Sequence, residues 1–231
     1  MPRPIALKEV ATVFVVDPDP LTGCATHELL DGSELGCETY RSGREFLGAY
    51  RHDQPGCLVL EQRIPDMSGL QLQHRLSASG AVLPLIFVTS NPDVSTAVEF
   101  MRGGAVHVLE KPVRSLELFE AIQEAIVLDR ERRSVKNVQT RIRNLTETLT
   151  RKERQVLELI AAGKPSKEIA GELEICVRAV ELRRNSLMKK LEVDSSLELM
   201  RFSVLAHREI GLGSDLVASR DVAYAERAKC G

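Results

Sequence analysis

Apolar residues in the first half of the chain come in short runs bounded by turn formers. Residues 11–16 (ATVFVV), 57–60 (CLVL), 84–89 (PLIFVT) and 105–109 (AVHVL) are such runs, and 37–40 (CETY) is a weaker one. Each is apolar on both sides of the strand alternation, the pattern of a parallel strand covered on both faces. Between them lie helical patterns over 21–30, 43–51, 69–78, 93–102 and 115–126. Five strands alternating with helices predict a doubly wound α/β domain.

The second half changes period. Residues 115–127 are amphipathic, with Leu116, Phe119, Ile122 and Ile126 on one face. Residues 128–145 are rich in Arg and Lys, with sparse apolar positions at Val135, Val138, Ile142 and Leu145. These keep three- and four-residue steps. They predict a continued or broken helix, either a short coiled-coil seam between protomers or a solvated linker. Residues 149–163 start with a capping signature, Thr150 with Glu153 three residues on, and Gly163 marks a stop. A short helix follows at 166–173, with Ile169, Ala170 and Leu173 inward. A tight turn at 174–176 then leads into a longer helix at 177–191. Short helix, tight turn, long helix is a helix-turn-helix. A fourth helix, 195–207, is capped by Asp194 or Ser195. The C-terminal domain is therefore expected to be all-α with four helices.

A chain of 231 residues is long enough for two domains. No stretch approaches the roughly 18 apolar residues of a membrane span. The N-terminal MPRPIALKEV lacks the apolar core of a signal peptide. The expectation is a cytoplasmic protein with no membrane partner. A net charge of −2 means that any surface for a polyanion must be local. The cysteines, 24, 37, 57, 176 and 230, form no CxxC pair, and the histidines are scattered. Reduced thiols and no transition-metal site follow.

In a doubly wound sheet, ligand-binding groups gather beyond the carboxyl ends of the strands. Those ends carry Asp17, Pro18 and Asp19, then Glu61, then Thr89 and Ser90, then Glu110, Lys111 and Pro112. Oxygen ligands beside a phosphate-sized site suit Mg²⁺. A hydroxyl and a lysine suit phosphoryl oxygens. Taken one at a time, such residues are ordinary loop polarity. Their convergence on one edge favours a phosphoryl site.

Residues 11–127 resemble a response-regulator receiver domain of the FixJ/NarL type. PDMSGLQL (65–72) matches the turn after the phosphorylated strand, and DVSTAVEFMRGGAVHVLEKP (93–112) matches the fourth helix, the fifth strand and the Lys-Pro pair. The resemblance implies a flavodoxin-like five-stranded parallel sheet and a cis Lys111–Pro112 bond. It also implies a sensor kinase or other regulatory protein as partner. Three parts of the family's switch are altered. The position of the phosphoacceptor aspartate is Glu61, whose extra methylene moves the carboxylate by about 1 Å, enough to cost roughly 100-fold in rate. Pro18 replaces the second acid of the metal pocket, leaving Asp17 as the Mg²⁺ ligand, with Asp19 as a partial substitute. Val108 stands where an aromatic residue usually rotates inward, and His107 precedes it. Thr89 and Lys111 are kept. Glu61 is then expected either to place a permanent negative charge near Lys111 or to pair with it as a purely structural ion pair.

The stretch LTRKERQVLELIAAGKPSKEIAGEL (149–173) resembles the LuxR-type DNA-binding module. The resemblance implies that Lys167 contacts a phosphate, that Arg178, Ala179, Arg183 and Arg184 lie on the recognition face, and that Lys190 touches the backbone. Double-stranded DNA is the expected partner. In the family the fourth helix pairs two modules, so a homodimer is expected, with Leu197, Met200 and Val204 as its face. Cys176 replaces the usual Ser or Thr at the start of the long helix, weakening its cap by about 1 kcal/mol. The boundaries expected are a receiver at 10–127, a helical linker at 128–147, the DNA-binding domain at 148–210 and a flexible tail at 211–231. The function expected is a DNA-binding transcription regulator controlled independently of ordinary aspartyl phosphorylation. The alternatives are a regulator that is phosphorylated at Glu61 or a neighbouring acid, and an adaptor without DNA affinity. No nucleophile–base pair points to an enzyme.

Overall fold

The computed structural model describes residues 10–90 and 93–210, so the tail expected at 211–231 lies outside the described residues. The chain divides into two compact units, Met1–Ser134 and Val135–Gly231.

In the first unit the apolar runs become strands. They are β1 (Thr12–Val16), β2 (Gly36–Tyr40), β3 (Gly56–Leu60), a short antiparallel pair β4 (Arg63–Ile64) and β5 (Met67–Ser68), then β6 (Leu85–Thr89) and β7 (Ala105–Glu110). Five of them form one parallel sheet in the order β2-β1-β3-β6-β7. The change of direction beside β1 makes the sheet doubly wound and places a crevice at the carboxyl ends of β1 and β3. Every residue of β3 and β6 is buried, which explains their unbroken apolar runs. Successive residues serve opposite faces. Phe14, Val16, Leu58, Leu60 and Phe87 join Phe46, Leu72 and Phe100 on one side. Val13, Val15, Val59, Ile86 and Val88 join Ile122 and Ile126 on the other. The covering helices are α1 (Pro20–Leu30), α2 (Gly43–Ala49), α3 (Gly69–Ala78) and α4 (Val94–Arg102), together with the start of α5 (Ser115–Glu147). The linker is a single unbroken helix with the last stretch of the receiver-covering pattern. The bond Lys111–Pro112 is cis.

The second unit is helical: the end of α5, then α6 (Arg151–Ala161), α7 (Ser166–Glu172), α8 (Val177–Lys190) and α9 (Ser196–Ile210). Val156, Leu157, Ile160, Ile169, Val180, Leu187, Leu191 and Leu199 form its core. Thr150 and Glu153 form the expected capping box on α6. Gly163 ends that helix in the left-handed region at φ 76°, with Lys164 N–H donating to the Leu159 carbonyl at 3.0 Å. The turn between α7 and α8 repeats this geometry with Glu174 at φ 53°, and Ile175 N–H donates to the Ala170 carbonyl at 3.0 Å. Ser195 caps α9 through Glu198 N–H at 3.2 Å. Cys176 gives α8 no side-chain cap.

Candidate functional sites

The loops after β1, β3, β6 and β7 line a cleft of about 350 Å³ that holds Asp17, Pro18, Asp19, Glu61, Gln62, Thr89 and Lys111. Chain geometry thus brings the expected receiver residues together. Lys111 lies between two carboxylates, with its Nζ 2.6 Å from Asp17 Oδ2 and 2.8 Å from Glu61 Oε2. Burial alone would lower the lysine pKa. The hydrogen bonds and charges of Asp17 and Glu61 outweigh it, and the ammonium is held above its ordinary value. The other Glu61 oxygen accepts from Gln62 N–H at 2.7 Å.

Two cleft residues have hydrogen-bond partners that the sequence does not announce. Asp19 is the N-cap of α1, and its carboxylate accepts from Leu21 N–H at 3.0 Å. Its own N–H donates to Asp17 Oδ1 at 2.8 Å. The helix start thus engages one of the two Asp19 oxygens. Thr89 is buried, and its hydroxyl donates to Gln62 Oε1 at 3.1 Å. Gln62 went unmarked in the sequence because a polar residue after a strand end is commonplace. For a cation such as Mg²⁺ the cleft offers the carboxylates of Asp17 and Glu61, both bonded to Lys111, and Pro18 adds no side-chain oxygen where the second acid would stand. Val108, on β7, is half-buried against the core, and His107 Nε2 lies 2.8 Å from Glu124 Oε2.

The second site is the exposed side of α8. Val180, Leu187 and Leu191 are buried and fix the helix on the core. The opposite stripe, Arg178, Glu181, Leu182, Asn185 and Lys189, is exposed at the three- and four-residue steps of one helix face. Arg178 and Lys167 are exposed, whereas Ala179, Arg183 and Arg184 are half-buried on the flanks of the stripe. Lys190 turns inward. Its Nζ lies 2.7 Å from Glu153 Oε2, whose partner oxygen accepts from Ser186 Oγ, also at 2.7 Å. The basic count of the helix identified it, but only the phase set by Val180 and Leu187 shows that Glu181, Leu182 and Asn185 lie at its centre. The strictly helical spacing of those two core residues was the signal that could have found them.

Two family models match the chain. Residues 13–123 match the response regulator receiver domain, and residues 147–203 match the luxR family of bacterial regulatory proteins. The transcriptional regulatory protein TdiR of Thauera aromatica is 36% identical over 192 residues, covering 83% of this chain and 85% of its own length. The transcriptional regulatory protein FixJ of Azorhizobium caulinodans is 34% identical over 200 residues, covering 87% and 95%. Among solved structures, the response regulator StyR superposes with a TM-score of 0.75 at 37% identity, over 84% of this chain and 98% of that one. Full-length FixJ from B. japonicum gives 0.51 at 32% identity, over 86% and 98%. The chain belongs to the response regulators that join a receiver domain to a LuxR-type helix-turn-helix. It is a DNA-binding response regulator of the LuxR/FixJ type.

Proposed function

We propose that this regulator is not switched by ordinary aspartyl phosphorylation, and that Glu61 supplies a standing negative charge where the family's acceptor would receive one. The observation that carries this reading is the 2.8 Å ion pair between Glu61 and Lys111. A carboxylate at the acceptor position already engages the lysine that would otherwise meet a phosphoryl oxygen. Pro18 in place of the second acid of the metal pocket, and Val108 with no ring to rotate, agree with it. A purely structural pair would have the same geometry, so the test must read DNA binding. Glu61→Gln keeps the length and removes the charge. Its expected outcome is weaker operator binding in a gel-shift titration, whereas wild type binds without a phosphodonor. Incubation of wild type with acetyl phosphate and Mg²⁺ is expected to add no phosphoryl mass. Stoichiometric addition at Glu61 or a neighbouring acid, or equal binding by wild type and Glu61→Gln, would sink the reading.

On the output side, the exposed stripe of α8 faces the bases in the major groove, Arg178 at its start. Lys167, and the half-buried Arg183 and Arg184, hold phosphates. Lys190 is a brace for α8 through Glu153, and contributes to DNA binding by holding the helix. Leu197, Met200 and Val204, exposed on α9, form the face of a homodimer. The domain boundaries 10–127, 128–147 and 148–210 fit these assignments. A sensor kinase or another regulatory protein acts on the receiver.

A further inference from the structure

Glu181 is the one acid on the outward side of a helix otherwise rich in Arg and Lys. Arg178 and Arg184 lie three residues to either side, in ion-pairing reach on a helix. Neither pairs with it among the described residues. Glu181 Oε1 instead accepts a hydrogen bond from Ser166 Oγ at 2.5 Å, across from the first residue of α7. The carboxylate is therefore positioned from outside its own helix, and its second oxygen has no partner among the described residues.

A carboxylate facing DNA is repelled by phosphates, so it is tolerated only where a donor awaits it. In the major groove that donor is an exocyclic amine, and cytosine N4 is the amine that carboxylates characteristically accept from. We propose that Glu181 is a specificity residue that selects cytosine at one position of each half-site, and that Ser166 is the positioning residue that aims it. This rests on the reading of α8 as the base-contacting helix. Ser166 leaves Oε2 open, and a single oriented acceptor suits a single amine hydrogen. Arg178, one turn earlier on the same stripe, reads a neighbouring base pair independently.

The test is selection of bound duplexes from a random library by full-length protein, with wild type, Glu181→Gln, Glu181→Ala and Ser166→Ala run in parallel. Wild type is expected to enrich a motif with one position at which cytosine is favoured about tenfold, within the usual range for a single base contact. Glu181→Ala loses the preference at that position alone. Glu181→Gln moves it towards adenine, because an amide pairs with adenine N6 and N7. Ser166→Ala blunts the same position and leaves the others unchanged, which a merely structural hydroxyl would not do. Glu181 is exposed, and equal melting temperatures for all four proteins confirm folding. If wild type enriches a motif and Glu181→Ala enriches the same one at every position, the assignment is overturned, and the Ser166 bond only ties two helices. If wild type enriches no motif, the reading of α8 as a base-contacting helix fails and takes this assignment with it.

Discussion

Glu153 is a nearly buried acid with three partners, and its titration is coupled to folding. Burial alone would raise its pKa. The bonds from Lys190 and Ser186 and those within the Thr150 cap outweigh it and bring the value down from 4.5 to about 2. A depressed acid contributes stability that is fully present above its unfolded value and is lost as pH falls through the folded one. The window is therefore pH 4.5 down to about 2. By the linkage relation the contribution is at most about 3 kcal/mol. Glu153→Gln is expected to lower the melting temperature at pH 7. The gap between variant and wild type should close as pH falls through this window, which calorimetry across pH would show. A gap that stays constant with pH would mean that the carboxylate charge is not what matters. The local half of this site was legible, since Thr150 and Glu153 have capping-box spacing. The distant half was not. Lys190 looked like any other cation on a basic helix, and nothing in a charge pattern tells which ammonium turns inward. Glu61 was the opposite case, because a fixed motif on either side set its place in the cleft.

At the scale of elements, α5 is the part the sequence described least. Residues 128–134 look like a solvated charge run, yet Asp129 is among the most buried polar residues of the first unit. Its carboxylate accepts from Gly56 N–H at 3.0 Å and from Arg133 Nε at 2.8 and 2.9 Å. The Arg133 guanidinium also donates to the His52 carbonyl at 3.1 Å and to that of Gln54. One acid and one base thus fasten α5 to the loop that leads into β3. Composition counts such residues as charge, and only tertiary structure reveals that they meet. The pair β4 and β5 escaped for another reason, as two-residue strands are too short to show any period. Asp129→Ala leaves the buried Gly56 amide without its acceptor and takes from Arg133 the carboxylate it pairs with, leaving it only the two carbonyls. It is expected to destabilise the first unit by about 3 kcal/mol. Urea unfolding measures this, and Asp129→Ala with Arg133→Met together should cost less than the two separate losses added. Simple additivity would show that the pair is not a coupled fastening.

Over the whole molecule, charge is divided by function. The net value of −2 conceals a C-terminal unit in which Lys and Arg outnumber Asp and Glu, and an N-terminal unit in which the balance is reversed. Only the first of these can attract a polyanion, and its attraction is salt-dependent, because each phosphate neutralised releases a condensed counterion. Cations that meet phosphates and groups that meet bases then separate by experiment. Lys167 is exposed at the start of α7 and has no ion pair among the described residues, and in the proposed reading it neutralises one phosphate. Lys167→Ala is expected to weaken binding to operator and to unrelated duplex by a similar factor. It should also reduce the slope of log K against log salt concentration by about one. Arg178→Ala, on the reading stripe, should instead narrow the gap between operator and unrelated DNA. Titrations of both variants at several salt concentrations decide the matter. If Lys167→Ala leaves the slope unchanged while selectively weakening operator binding, Lys167 reads sequence, and the division of labour between the two helices must be redrawn.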